Sequence, residues 1–500
     1  MFLRGDEIVV VFKTILILQI VLIFDTIYLL FERLETEIGD MMKQSMLLRY
    51  GAIGLMLFAL FFGAGNLIYP AFLGLYSGQQ FWMAILGFCL TAVTLPLLGV
   101  VAIAYTGTED AESLMRPVSK HLALFFSIAL YLSIGPFFAI PRTGATSYSI
   151  GMEPIFGSSF LVKVLYALVY FGLSYWLAIK PSKMVERIGK FITPALLAVL
   201  ALLVVTSFLH PAGNLGFTHN AGEGVGLAFA DAPLVAGLIQ GYGTMDALAS
   251  LAFSIVVIHA VRNFGVKENR DIARVTILSG VIAVALLAVI YLFVARIGAT
   301  SQSLFEFDGQ TFLLKGQVID GGHILSQASL HYLGSLGRAV LAVIVFLACL
   351  TTSTGLISAC AEYFHKICPR MSYVGWASLF TLIALSLYFI GLSEIIKWSV
   401  PVLYLLYPLT IVLIFLSLAH KTFAGDKRVY QLTMVFTALA ALYDALAAFS
   451  SMTGFFSLPK AVVTFFSETL PLGEFALGWL PLAGFGFVLG YIWHLFAKEK

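Results

Sequence analysis

The chain has 500 residues, 60% of them hydrophobic and only 11% charged, with a formal net charge of +2. Soluble domains carry about a quarter charged residues, so this composition excludes an ordinary water-soluble globule and makes membrane lipid the solvent for most of the surface. The basic residues are dealt out among loops rather than gathered in one patch, so the charge gives no sign of nucleic-acid binding and no nucleic-acid partner is expected.

Residues 1–41 read as an N-terminal extension. Ile8 to Phe31 is apolar enough to span a bilayer but carries Lys13 and Asp25, each costing about 2.5–3.5 kcal/mol at a helix centre. The stretch has no small-residue cleavage site of a signal peptide, and the paired Met41 and Met42 point to a start there. Twelve apolar runs then follow, at 47–75, 80–106, 121–150, 160–179, 190–209, 225–261, 273–298, 336–365, 373–392, 394–418, 430–455 and 476–496. Each is about as long as a transmembrane helix must be, and the short alternating segments of a membrane barrel are absent. The expected fold class is all-α polytopic membrane protein.

Loops loaded with positive charge alternate with loops that are bare. Arg116 and Lys120, then Lys180, Lys183, Arg187 and Lys190, then Arg262, Lys267, Arg270 and Arg274, then Lys366 and Arg370, then Lys421, Lys427 and Arg428 mark one side, whereas 151–159 and 209–224 contain no Lys or Arg. By the positive-inside rule the loaded loops are cytoplasmic, and both ends of a twelve-helix core lie inside. The stretch from Phe305 to His323, on the outer side, reads as a plain loop or, alternatively, a small extracellular lid, and His210, His219, His323 and His331 read as solvated. Cys89, Cys349, Cys360 and Cys368 fall in spans or beside a cytoplasmic loop and lack ligand spacing, so neither disulfides nor a metal centre is expected.

Two spans are interrupted. The first contains Phe62-Gly63-Ala64-Gly65-Asn66 and the sixth Gly241-Tyr242-Gly243-Thr244-Met245-Asp246. A first and a sixth helix broken at the same depth imply a five-plus-five repeat, inverted because five is odd. This divides the chain into 42–209 (helices 1–5), 210–419 (helices 6–10) and 420–500 (helices 11 and 12). Backbone freed from a helix inside lipid must line a cavity or bind something. Half-helix amino ends suit a carboxylate and exposed carbonyls suit a cation. The competing reading, glycines that only permit close helix packing, lacks the four-residue spacing of a packing seam.

Those two runs, with Ile140-Pro141-Arg142-Thr143-Gly144-Ala145, resemble the bacterial branched-chain amino-acid:cation symporters of the BrnQ type over residues 42–500. The resemblance implies a LeuT-like fold and sodium-coupled uptake of leucine, isoleucine and valine across the bacterial inner membrane. Ala348-Cys349-Leu350-Thr351-Thr352-Ser353 resembles the LeuT segment that holds sodium. Carried over, that likeness gives a sodium site from the carbonyls of Ala59, Phe62 and Ala348 and the hydroxyls of Thr351 and Thr352. Hydroxyls in membrane helices also bond back to their own turn.

The candidate substrate residues are Gly63, Ala64, Gly65, Asn66, Gly241, Tyr242, Gly243, Thr244 and Asp246, with Tyr131 and Phe253 as walls of a side-chain pocket. The carboxylate would meet N–H groups around Gly63 to Gly65, and the ammonium the carbonyls near Gly241 to Thr244. Asp246, costly to bury, could organise the break, bind the ammonium or carry a coupling proton. The last role defines the alternative, a proton-coupled carrier. Arg142 reads as snorkelling outward, pairing with Glu153 or Asp231, or gating the outer vestibule. No cofactor is expected. An embedded enzyme lacks support, since HExxH, GxSxG and paired intramembrane carboxylates are missing.

Overall fold

The computed structural model describes residues 46–157, 159–180, 188–222, 225–263, 266 and 268–498; the amino-terminal extension lies outside them. The chain divides into two compact units, 1–52 and 53–500. Of the first, the described part is the opening turns of helix α1 (Met46–Phe61), and everything below belongs to the second.

Among the described residues the structure is helical apart from one small sheet. Nine helical stretches are long and apolar enough to cross a membrane, and three shorter apolar helices, Tyr50–Phe61, Thr193–Leu209 and Tyr373–Tyr388, accompany them. A helix satisfies all its backbone polar groups internally, and that is why an apolar run in lipid takes this form.

The first span consists of α1 and α2 (Ala64–Ser77), separated at Phe62–Gly63. The second consists of α3 (Phe81–Cys89) and α4 (Leu95–Thr106), joined by a π-helical turn. The third consists of α5 (Lys120–Leu132) and α6 (Ala139–Thr146), with Gly135 leaving helical geometry between them. Then come α7 (Phe160–Ala178) and α8 (Thr193–Leu209). The sixth span is α9 (Pro233–Tyr242) and α10 (Asp246–Asn263), and the seventh is α11 (Asn269–Ala299). Helix α12 (Gly321–Leu333) precedes α13 (Ser335–Ile367), α14 (Tyr373–Tyr388), α15 (Leu392–Leu418), α16 (Lys427–Thr453) and α17 (Trp479–Lys498).

The first span packs on the seventh, and the sixth on the second. These two pairings exchange under a repeat of five helices, which is what the paired breaks implied. Both depend on glycine. A Cβ on Gly74 would fall 1.8 Å from the carbonyl oxygen of Ala295, and one on Gly298 2.0 Å from that of Ala71. On the other pair, Gly87 faces the Leu234 carbonyl and Gly237 that of Ala84, each at 2.0 Å. With little hydrophobic drive between helices in lipid, such backbone contact is what holds them. Replacing Gly74 with alanine therefore forces α2 and α11 apart, and we expect a loss of about 3 kcal/mol, read as a lowered Tm of the purified protein. An unchanged Tm would show that the interface yields without cost.

The connection between α11 and α12 is folded rather than a plain loop. Strands β1 (Glu306–Phe307), β2 (Phe312–Leu314) and β3 (Gln317–Val318) form an antiparallel sheet in that order. Phe312 is buried against Tyr76 of α2, whose hydroxyl accepts the Phe312 N–H at 3.1 Å. His219, expected in solvent, packs on Phe307 at 4.1 Å between ring centres, and burial lowers its pKa. Asp320 caps α12 and bonds the His323 ring at 2.7 Å. Hydropathy could not show this, because the sheet owes its order to rings on three separated segments.

At the opposite end, polar groups tie the 107–119 loop to two spans. Arg262 Nη1 lies 2.8 Å from Glu109, Lys366 Nζ 2.5 Å from Asp110, and the Tyr363 hydroxyl donates to Glu112 at 3.1 Å. Burial opposes ionisation of Asp110, but the bonds from Lys366 and the Ser113 N–H prevail and hold its carboxyl below the ordinary range. His259 and Glu362 meet at 2.6 Å beside them.

Candidate functional site

Asn66 organises the first break. As the third residue of α2 its side chain reaches back, Oδ1 accepting the Gly63 N–H at 2.9 Å, the reach-back bond of a helix cap. Its Nδ2 donates to Asp246 Oδ2 at 2.5 Å and also to the Tyr291 hydroxyl, and Tyr291 donates to the same carboxylate oxygen at 2.9 Å. One amide thus joins the first, sixth and seventh spans. Asp246, 2% exposed, opens α10, where the helix dipole favours a negative charge.

The sixth-span break closes α9 with tight turns, Thr244 N–H to Gly241 O at 3.3 Å and Met245 N–H to Tyr242 O at 3.1 Å. The left-handed residue is Met245, with φ of 65°, not either glycine. Gly241 serves close packing: a Cβ there would lie 1.8 Å from Thr91 Oγ1, whose hydroxyl donates to Leu238 O at 2.9 Å. At Gly243 a Cβ would strike the ring of Tyr69, and at Gly63 it would lie 2.7 Å from Thr352 Oγ1. The glycines of both motifs thus let neighbouring elements approach, the packing role set aside on their spacing. The breaks themselves are real.

Between the breaks lies a cavity of about 20 Å³, room for a water-sized occupant. Of the expected substrate residues, Gly63, Ala64, Gly65, Asn66, Thr244, Asp246 and Phe253 line it. Leu60, Phe61, Ile134, Ala139 and Leu356 complete an apolar wall. Four expected residues do not line it: Gly243, which packs against the Tyr69 ring, and three more. Gly241 faces Thr91, Tyr242 stacks on Tyr407 at 4.3 Å, and Tyr131 stacks on Tyr363 at 4.1 Å. The non-helical Gly135 lies between Tyr131 and the lining residues Ala139 and Thr143, so the register of one half of the third span does not carry into the other.

Arg142 contradicts the expectation of snorkelling or an outer ion pair. It is 3% exposed and lines the cavity. Its Nη1 donates to the Gly243 carbonyl at 2.7 Å and its Nη2 to that of Thr244 at 3.4 Å. The carbonyls expected to meet a substrate ammonium therefore already accept from a guanidinium. Pro141-Arg142-Thr143 stood out in sequence as a charge within an apolar run, but nothing in the run shows that it turns inward. Tyr291 gave no signal, being one mid-span tyrosine among 21 in the chain.

The hydroxyl run of α13 meets the end of α1. Thr351 Oγ1 donates to Ala59 O and to Ala348 O, each at 2.9 Å, and Thr352 Oγ1 to Leu60 O at 3.0 Å. Thr354 bonds only back along its helix, to Leu350 O at 2.7 Å. Ala59, Ala348, Thr351 and Thr352 are thus brought together. The second first-span carbonyl bonded to these hydroxyls is that of Leu60, and Phe62 follows two residues on at the break.

The sequence matches the family described as branched-chain amino acid transport protein over residues 47–497. It is 42% identical over 446 residues to the branched-chain amino acid permease BraB of Bacillus subtilis, covering 89% of this chain and 95% of that one. The permease BrnQ of Lactobacillus delbrueckii subsp. lactis is 40% identical over 432 residues, covering 86% and 93%. The branched-chain amino acid transport system 2 carrier protein of Pseudomonas aeruginosa is 39% identical over 441 residues, covering 88% and 95%. Among solved structures, the nucleobase-cation-symport-1 family transporter Mhp1 in a closed conformation aligns with TM-score 0.53 at 15% identity, covering 83% of this chain and 95% of that one. A Na+-coupled sialic acid symporter in an outward-open state aligns with TM-score 0.56 at 13% identity, covering 89% and 90%. At such identities these structures show the shared LeuT-like transporter fold alone. Two broken spans around a buried polar cavity, and relatives matched along almost their whole length, place this chain in the branched-chain amino acid transport protein family, a family of transporters and not of enzymes.

Proposed function

We propose that the protein is a secondary active transporter that couples sodium entry to uptake of leucine, isoleucine and valine across the bacterial cytoplasmic membrane by alternating access. The observation that carries the sodium reading is the bonding of Thr351 and Thr352 across to carbonyls at the end of α1. Hydroxyls and carbonyls converging on a broken helix are the oxygen donors that a small hard cation takes, and bonding back along α13 alone would not require them to reach another span. In this reading the cation holds α1 against α13. The substrate carboxylate meets the amino end of α2, its ammonium is drawn to Asp246, and its branched side chain lies on the wall of Leu60, Phe61 and Phe253. The repeat boundaries at 42–209 and 210–419, the twelve spans and the cytoplasmic termini belong to the same proposal, supported by the alternation of basic loops.

The driving force suffices, since one charge crossing 100 mV supplies about 2.3 kcal/mol, on the order of fifty-fold accumulation. The test is labelled leucine uptake into proteoliposomes under an inward sodium gradient and, at matched pH and voltage, an equal potassium gradient. Sodium-dependent accumulation is expected. Accumulation that follows a proton gradient alone would replace sodium coupling with proton coupling, which the buried Asp246 favours as the second reading.

A further inference from the structure

We propose that Arg142 is a substrate-binding residue that selects for a carboxylate, receiving it on the Nε–Nη2 edge of its guanidinium. The proposal rests on the reading that this cavity takes an α-amino acid. Three observations carry it. First, the guanidinium is buried and only half used. Nη1 is engaged at 2.7 Å by the Gly243 carbonyl, Nη2 has a long contact of 3.4 Å, and Nε, also buried, has no hydrogen-bond partner. An unsatisfied N–H on a buried cation is costly. The Nε–Nη2 edge, engaged only by that long contact and flanked by Tyr69, whose hydroxyl also interacts with the guanidinium, is the planar two-donor fork that matches a carboxylate.

Second, the fork lies beside the other anion-binding element of the site. A Cβ on Gly65 would sit 3.0 Å from Nη2, so the first turn of α2, with its unpaired N–H groups, and the guanidinium address the same space. The ring of Tyr69 lies 5.8 Å from the guanidinium carbon and supports that side. Third, the cavity is dipolar. Arg142 is the one base and Asp246 the one acid among its lining residues. The two are close enough to interact electrostatically but form no direct ion pair among the described residues: Asp246 takes its bonds from Asn66 and Tyr291, and Arg142 gives its own to backbone carbonyls. Opposite charges held apart across an apolar-walled cavity fit a zwitterion that bridges them, carboxylate to Arg142 and ammonium to Asp246.

A clamp that only fixed the sixth-span break would also bury Arg142, so the test must read the carboxylate itself. Binding of leucine and of isopentylamine, the same skeleton without the carboxylate, is measured by ligand-induced shift in Tm on purified wild type, Arg142→Gln and Arg142→Lys. Wild type is expected to bind leucine about 100-fold more tightly than the amine. Arg142→Gln should lose that preference through a drop of about 100-fold in leucine affinity, with amine affinity unchanged or raised. Arg142→Lys, which keeps the charge but not the fork, should lose about 10-fold for leucine alone, and it serves as the readout if the glutamine variant does not fold. Parallel weakening of both ligands, or unchanged leucine binding, would overturn the proposal. A wild type that binds no leucine would instead overturn the reading of the cavity.

Discussion

Asp246→Asn is expected to abolish leucine transport, with uptake falling by about 100-fold or more and no recovery at high leucine. The substitution keeps the shape of the side chain and an oxygen that can accept from Asn66 and Tyr291, which bond the carboxylate at 2.5 and 2.9 Å. Only the charge is removed. Losing one partner of a buried, hydrogen-bonded charge pair costs about 2–5 kcal/mol, and the substrate ammonium is the cation proposed to complete this pair. Counterflow separates the possible roles. If Asp246 binds the ammonium, exchange of labelled for unlabelled leucine is lost along with net uptake. If it carries a coupling proton, exchange survives while accumulation disappears. If it only organises the break, both persist within a few-fold and the damage appears as a lowered Tm.

Thr351→Ala is expected to raise the sodium concentration for half-maximal uptake by about 10- to 100-fold, leaving leucine KM at saturating sodium within a few-fold of wild type. Thr351 is fully buried and its hydroxyl donates to two carbonyls on two spans. A hydrogen bond of that kind contributes about 1 kcal/mol, so a merely structural role predicts a modest fall in Tm and unchanged sodium dependence. Loss of a cation ligand predicts the reverse pattern. Thr351→Ser retains the oxygen and should restore the sodium response, since the methyl group takes no part in the contact. A sodium response unmoved by Thr351→Ala would remove the hydroxyls from the ion site.

Both expectations share one cycle. The cavity is far smaller than the several hundred Å³ usual for a small-molecule site, so a leucine enters only if the broken spans part. The small sheet is seated on Tyr76, at the end of α2, and the 107–119 loop is tied to Arg262 and Lys366, at the ends of α10 and α13. In the proposed cycle, rocking of the broken spans loosens one set of contacts at a time, so that no open path forms.

The hydropathy runs, the alternation of basic loops, the two helix breaks and the hydroxyl run of α13 were legible from the sequence, because each is a property of consecutive residues. A helix in lipid is specified by its own composition, and a glycine pair beside a polar residue marks where it is interrupted, although at the sixth span Met245 and not a glycine takes the left-handed conformation. The contents of the cavity were decided by tertiary structure. Arg142 reaches the carbonyl of Gly243, 101 positions away, Asn66 reaches Tyr291 across 225, and Thr351 reaches Ala59 across 292. The inward turn of Arg142, the burial of Tyr131 against Tyr363 instead of in the cavity, and the packing rather than left-handed use of Gly241 and Gly243 all follow from which neighbour each span meets. Hydropathy treats every face of a membrane helix alike, and only packing distinguishes the face that meets lipid from the one that meets the site.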